Sequence, residues 1–186
     1  MKRILTVLMS AVFVAYPVLI YFGLTAFSPA MVGIFVLTLL GLRMAVLANL
    51  SWQKLRPLLP LTLAAALPAA YSLLLNSERA LLLMPVLVNA TLLGTFGWTL
   101  LRKPSMIARF AALKEPQMTD AIVAYCNKVT AVWCVFFAVN GSVAAYTVFG
   151  TSKEYWILYN GLISYILIGL LFGVEAVVRK KVKQKG

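Results

Sequence analysis

The chain contains no histidine. Ser-His-Asp and Cys-His nucleophilic catalysis therefore lack a base, and His-based metal sites and His-dependent membrane acyltransferase motifs are excluded. Acids are nearly as scarce: five Asp and Glu stand against seventeen Lys and Arg, and only Glu175 falls within a long apolar run. No paired-aspartate cluster exists to hold Mg²⁺ against a diphosphate. No glycine-rich phosphate loop follows a strand. The two cysteines, Cys126 and Cys134, are eight residues apart on one expected helix. At 1.5 Å rise per residue that is roughly 12 Å, beyond disulfide reach, so both are expected reduced. Conventional hydrolase, transferase and redox mechanisms lack their parts, and neither a metal nor a cofactor is expected.

What is abundant is apolar length. Of 186 residues, 62% are hydrophobic, and the mean hydropathy is +0.92. Six runs stand out, at about 4–26, 31–50, 58–75, 80–101, 129–149 and 156–178. Each approaches the 17–25 residues a helix needs to cross a hydrocarbon core. The first run is longer than a signal-peptide core, and Ser28-Pro29-Ala30 makes a poor cleavage site, so it reads as a retained helix, kinked at Pro17. With a cytoplasmic amino terminus, every Lys and Arg except Arg79 and Lys153 lies on the inner side. Because Lys and Arg are retained on the cytoplasmic side during insertion, this asymmetry fixes the orientation. The expected fold is all-α: one transmembrane domain over 1–186, a bundle of six helices with both termini cytoplasmic.

The net charge of +12 does not indicate nucleic acid, because the charges flank apolar spans instead of covering a soluble face. Anionic headgroups are the expected partners. The outer connections, 25–30, 76–79 and 150–155, are very short and make antiparallel hairpins of helices one and two, three and four, and five and six. The long connection, 102–128, is cytoplasmic. Between Pro104 and Pro116, Met106, Ile107, Phe110 and Leu113 recur at helical spacing, with Arg109 and Lys114 off that stripe. This pattern predicts a short amphipathic helix lying on the inner leaflet between helices 4 and 5. Thr119 or Asp120 then caps a new helix that runs through Tyr125 and Lys128 into the fifth span.

The informative side chains are polar groups at membrane depth. Arg43 and Glu175 both fall in the inner-leaflet half, where a charge seeks protein, water or a partner. They can pair with each other; alternatively Glu175 pairs with Arg179 at i+4 while Arg43 snorkels. Asn89 and Asn140 lie near mid-span. An interhelical hydrogen bond between them is the structural reading, and contact with a ligand the functional one. On span five, Cys126, Thr130, Trp133, Phe137, Asn140 and Ala144 recur every three or four residues, as do Asn160, Ser164, Leu171 and Glu175 on span six. Facing each other, these stripes predict a polar seam open toward the cytoplasm. Gly169 and Gly173 form a GxxxG pattern that permits close helix approach, including that of a second copy. Trp133, Trp156, Tyr155 and Tyr159, near span ends, read as interfacial anchors.

Three blocks carry a resemblance: Met84-Pro85-Val86-Leu87-Val88-Asn89 with Phe96-Gly97 and Pro104-Ser105-Met106-Ile107-Ala108-Arg109-Phe110-Ala111; then Tyr125-Cys126-Asn127-Lys128 through Trp133-Cys134 to Asn140-Gly141; then Trp156-Ile157-Leu158-Tyr159-Asn160-Gly161 with Gly169 to Phe172, Glu175 and Arg179. Together they resemble an uncharacterised family of small bacterial multi-pass inner-membrane proteins, mainly over the second half of the chain. Genes of that family often lie in clusters for aryl polyenes or related fatty-acid-type lipids. The resemblance implies an acyl or polyene lipid context, with acyl carrier proteins and lipid biosynthetic enzymes as partners, and implies no catalytic role for any residue. The leading expectation is a non-enzymatic accessory protein that handles or hands over such a lipid at the cytoplasmic face. Arg43, Asn89, Arg109, Asn140, Asn160, Ser164 and Glu175 are its candidate binding residues. Two other readings stand beside it. A small transporter or flippase would open the seam to both faces, and an inverted repeat would have favoured it. A membrane scaffold would use every polar residue structurally. An enzyme would have only Glu175 with Arg43 or Tyr165 to work with.

Overall fold

A computed structural model describes residues 16–48, 51–55, 58–113 and 118–183, without the side chains of 54 and 180–183. The first part of the first expected span, the bases at 2, 3, 56 and 114, and residues 184–186 lie outside the described residues. Within them the chain is all-helical, with no strand. The order is α1 (Tyr16–Ala26), α2 (Pro29–Leu47), α3 (Trp52–Leu55), α4 (Leu59–Leu75), α5 (Glu78–Leu82), α6 (Met84–Leu101), α7 (Met106–Ala112), α8 (Asp120–Gly150) and α9 (Lys153–Leu158). A π-helical turn (Tyr159–Ile163) then leads into α10 (Ser164–Lys183). Four helical stretches are long and apolar enough to cross a membrane: Pro29–Leu47, Glu78–Leu101, Asp120–Gly150 and Lys153–Arg179; α1 and α4 are shorter apolar helices.

The boundaries follow local chemistry. Ser28 caps α2, its hydroxyl accepting the Met31 N–H at 3.4 Å, and Pro29 occupies the first turn, where no N–H is needed. α4 stops at Asn76, which takes the left-handed conformation (φ 48°) that Asn tolerates better than most residues. Asn76 Oδ1 then accepts the Ala30 N–H at 3.0 Å, and Ser72 Oγ donates to the Pro29 carbonyl at 2.8 Å, so two hairpin ends are laced together. Thr119 caps α8 as its position suggests, accepting the Ile122 N–H, and α8 continues unbroken into the fifth expected span.

The outer-hairpin pairs are not the most extensive contacts. α2 packs chiefly on α4, and α6 on α8. Small residues explain this. A Cβ on Gly33 would sit 2.6 Å from the Ala69 carbonyl, and one on Gly141 would sit 3.0 Å from Asn89 Cβ, so both glycines let a neighbouring helix close in. The core cluster gathers at the end of the bundle that carries the short connections. Trp156, at 0% exposure, packs with Ile20, Val32, Ala69, Leu81, Leu82 and Met84. Its indole N–H donates to the Leu82 carbonyl at 3.0 Å. Lys153 and Glu78 join two of the short connections at 2.8 Å, but both are substantially exposed, so the pair contributes little.

Candidate functional site

The asparagines at mid-helix form a ladder. Asn89 is held on α6 by donating Nδ2 to the Pro85 carbonyl at 2.8 Å, one turn back. Its Oδ1 accepts Asn140 Nδ2 from α8 at 3.1 Å, and Asn140 Oδ1 in turn accepts the Tyr159 hydroxyl at 2.9 Å. Asn89 and Asn140 are both buried. Each amide therefore donates and accepts within the protein, which is the structural reading of these residues. Asn160, also buried, donates to Thr147 Oγ1 at 3.1 Å and to the Trp156 carbonyl at 2.9 Å. It sits in the π turn, where the backbone ladder changes register, and its side chain supplies a donor to the carbonyl one turn back. Ser164 is buried at the first turn of α10.

The stripe on α8 is buried as its spacing predicts: Cys126, Thr130, Trp133, Phe137, Asn140 and Ala144 all face protein. What it faces differs from expectation. At Asn140 its polar partners are Asn89 on α6 and Tyr159 in the π turn, and α8 meets α10 over only a short stretch. There Trp133 lies 4.7 Å, centroid to centroid, from Phe172, within an aromatic group that includes Phe96, Phe136 and Phe137. Toward the far end of α10, the Tyr125 hydroxyl lies 3.3 Å from Glu175 Oε1 and 3.2 Å from its carbonyl. Arg179 Nε stands 3.7 Å from the same carboxylate. The i,i+4 pair with Arg179 is thus formed, and Glu175 is only 13% exposed while Arg179 is 54% exposed. Arg43 instead lines a cleft among α1, α2, α4 and α6.

α7 is fixed to the bundle at its start. The Met106 N–H donates to Thr99 Oγ1 at 2.9 Å, and the Ile107 N–H to Thr130 Oγ1 at 3.2 Å, so two of the orphan donors of a helix start are satisfied by α6 and α8. Arg109 folds back on the preceding loop, Nε donating to the Pro104 carbonyl at 2.8 Å and Nη2 to that of Arg102 at 3.4 Å. Its guanidinium is therefore at least partly a loop clamp. Arg102 lies over the Trp98 ring, 5.4 Å from its centroid. Beside these bases, Trp98, Leu101, Phe110 and Leu113 are all more than half exposed, Leu113 at 83%.

Of the aromatic residues read as anchors, only Tyr155 is exposed. Trp156 and Trp133 are core, and Tyr159 completes the asparagine ladder. Tyr125 and Thr130 were missed as partners. Thr130 carried a signal, since it stands on the buried stripe with a hydroxyl able to serve another helix. Tyr125 carried none beyond its lying on the helix facing Glu175. Among the described residues no group of three or more His, Cys, Asp or Glu could hold a metal ion. Comparison with family models, with curated proteins and with solved structures finds no match for this chain.

Proposed function

We propose that this protein is a non-enzymatic accessory component of a bacterial inner membrane that handles or hands over an acyl or polyene lipid made at the cytoplasmic face. In this reading the chain crosses six times, α1 and α4 making the two crossings beyond the four long helices, with both ends of the sequence in the cytoplasm. α7 lies at the inner interface. The lipid's head end meets the polar groups near Glu175, and the basic surface around α7 meets anionic headgroups or an acyl carrier protein, which is acidic.

The observation that carries the reading is the surface around α7. It sets four exposed apolar side chains, Trp98, Leu101, Phe110 and Leu113, beside Arg102, Lys103 and Arg109. Apolar area flanked by cations suits an interface that is part hydrocarbon and part anionic. The hydrogen bonds that Thr99 and Thr130 accept from the start of α7 hold that surface in place, so little ordering is needed on binding. The orientation rests on the basic residues of the sequence, and the acyl context on the family resemblance.

The test is capture of a purified acyl-loaded carrier protein by the protein in lipid nanodiscs. Arg102→Glu with Lys103→Glu should weaken capture about tenfold and flatten its salt dependence, as reversal of charges at an interface rim does. Equal capture by wild type and double variant would overturn the carrier reading. Movement of lipid across vesicles by the purified protein alone would favour the transporter.

A further inference from the structure

The last turn of α6 puts a cation on a face that lipid covers. Leu87, Ala90, Gly94, Trp98 and Leu101 recur at three- and four-residue spacing, so they share one face of the helix, and all five are exposed. The stretch Glu78–Leu101 is 24 residues long and apolar enough to cross a membrane, and Gly94, Trp98 and Leu101 lie in its second half. Arg102 follows at once, and its guanidinium turns back onto that face, lying over the Trp98 ring at 5.4 Å from the centroid. A positive charge is thereby held against the lipid-facing side of the helix, at the level where the hydrocarbon ends.

Two further bases gather at the same turn. Lys103 is next in sequence, and Arg109 reaches back from α7, its Nη2 3.4 Å from the Arg102 carbonyl. With its bond to the Pro104 carbonyl, Arg109 uses two of the five N–H donors of a guanidinium. All three bases are exposed, and among the described residues none of them forms an ion pair; the pairs there join Lys153 to Glu78 and Arg179 to Glu175. Three uncompensated positive charges beside an apolar strip fit an occupant that is anionic at one end and hydrocarbon at the other. A soluble acidic protein answers the charge alone, because Gly94 and Trp98 lie within the crossing stretch.

We propose that this corner binds an anionic phospholipid of the inner leaflet, its phosphate held by Arg102, Lys103 and Arg109 and an acyl chain lying along the Gly94–Leu101 face of α6. Guanidinium forks and an ammonium together hold a phosphate from several sides, and the exposed strip continues from them into the hydrocarbon. The proposal rests on the inner-side placement of α7 in the reading above, and names the partner of its basic surface as lipid.

The test reads Trp98 fluorescence in vesicles of phosphatidylcholine, with a chain-brominated lipid supplied as phosphatidylglycerol or as phosphatidylcholine at the same molar fraction. Bromine quenches an indole only at close range, and subtracting the Trp98→Phe variant isolates Trp98 from the other tryptophans. Phosphatidylglycerol should quench Trp98 at least threefold more than phosphatidylcholine. At 1 M salt, where the screening length falls to ~3 Å, at least half of that preference should remain. Arg102→Gln with Lys103→Gln should remove it, whereas Lys153→Gln, at the other end of the bundle, should leave it. Equal quenching of the wild type by the two lipids would overturn the proposal. So would a preference that the double variant keeps, which would place the lipid elsewhere, or one that vanishes at 1 M salt, which would be diffuse attraction to a basic surface. Capture of an acyl-loaded carrier with no lipid preference at Trp98 would overturn this proposal and leave the accessory reading standing. A lipid preference at Trp98 without capture would support this proposal and remove the carrier from that reading.

Discussion

Replacing Trp156 by Ala should lower the unfolding temperature of the detergent-purified protein by roughly 10 °C, the largest effect expected from truncating a single apolar side chain. Trp156 is wholly buried and joins α9 to residues of α1, α2, α4, α5 and α6 in one cluster. Removing a buried indole loses its packing and leaves a cavity, together ~3–5 kcal/mol. The Leu82 carbonyl also loses the indole N–H that lies 3.0 Å away. For a chain of this size each kcal/mol shifts the midpoint by roughly 2–4 °C. Trp156→Phe should recover more than half of the loss, because its ring refills most of the volume, while it still gives up the hydrogen bond, about 1 kcal/mol, and leaves a smaller void. An alanine variant melting within a degree or two of wild type would show that this cluster does not hold the hairpin ends together.

The second large effect concerns the asparagine ladder. Asn140→Leu leaves Asn89 Oδ1 without its donor from α8 and the Tyr159 hydroxyl without its acceptor, both away from water. Such bonds within membranes average ~0.6 kcal/mol and reach about 1.7, so two of them predict a loss of about 1 kcal/mol, with ~3 as the upper bound. The informative measurement is the double-mutant cycle. Asn89→Leu with Asn140→Leu should be less destabilised than the two single losses summed, by at least ~0.5 kcal/mol, because removing both partners leaves one fewer orphaned group. Strictly additive losses would mean that the two amides do not depend on each other.

How much of this was legible in the sequence varies with the kind of signal. The α8 stripe was readable because 3.6-residue periodicity maps directly onto one face, and every member from Cys126 to Ala144 is buried. The Asn89–Asn140 bond was readable because two amides at matching depth in adjacent spans have few other partners. The roles of Trp156 and Tyr159 were not. An aromatic near a span end suits a membrane interface and a packed hairpin end equally well, and only the neighbouring helices decide. Nor could connectivity show that α2 prefers α4 and α6 prefers α8. That follows from Gly33 and Gly141 facing a backbone and a side chain far along the chain. Arg109 looked like a headgroup contact because its charge faces away from the apolar stripe; the carbonyls at 102 and 104 that receive it become available only once the loop turns. The π turn at Tyr159–Ile163 left no trace in composition or spacing.

The central claim is that the basic surface around α7 faces the cytoplasm while the short connections at 27–28, 76–77 and 151–152 face out. Single cysteines introduced into a Cys126→Ala, Cys134→Ala background test it directly, with a membrane-impermeant maleimide applied to intact bacterial spheroplasts. Cysteines replacing Ser77 and Ser152 should react at once, and those replacing Lys103 and Lys128 only after permeabilisation. Reaction at 103 or 128 in intact spheroplasts, with 77 and 152 protected, would invert the protein and contradict the account.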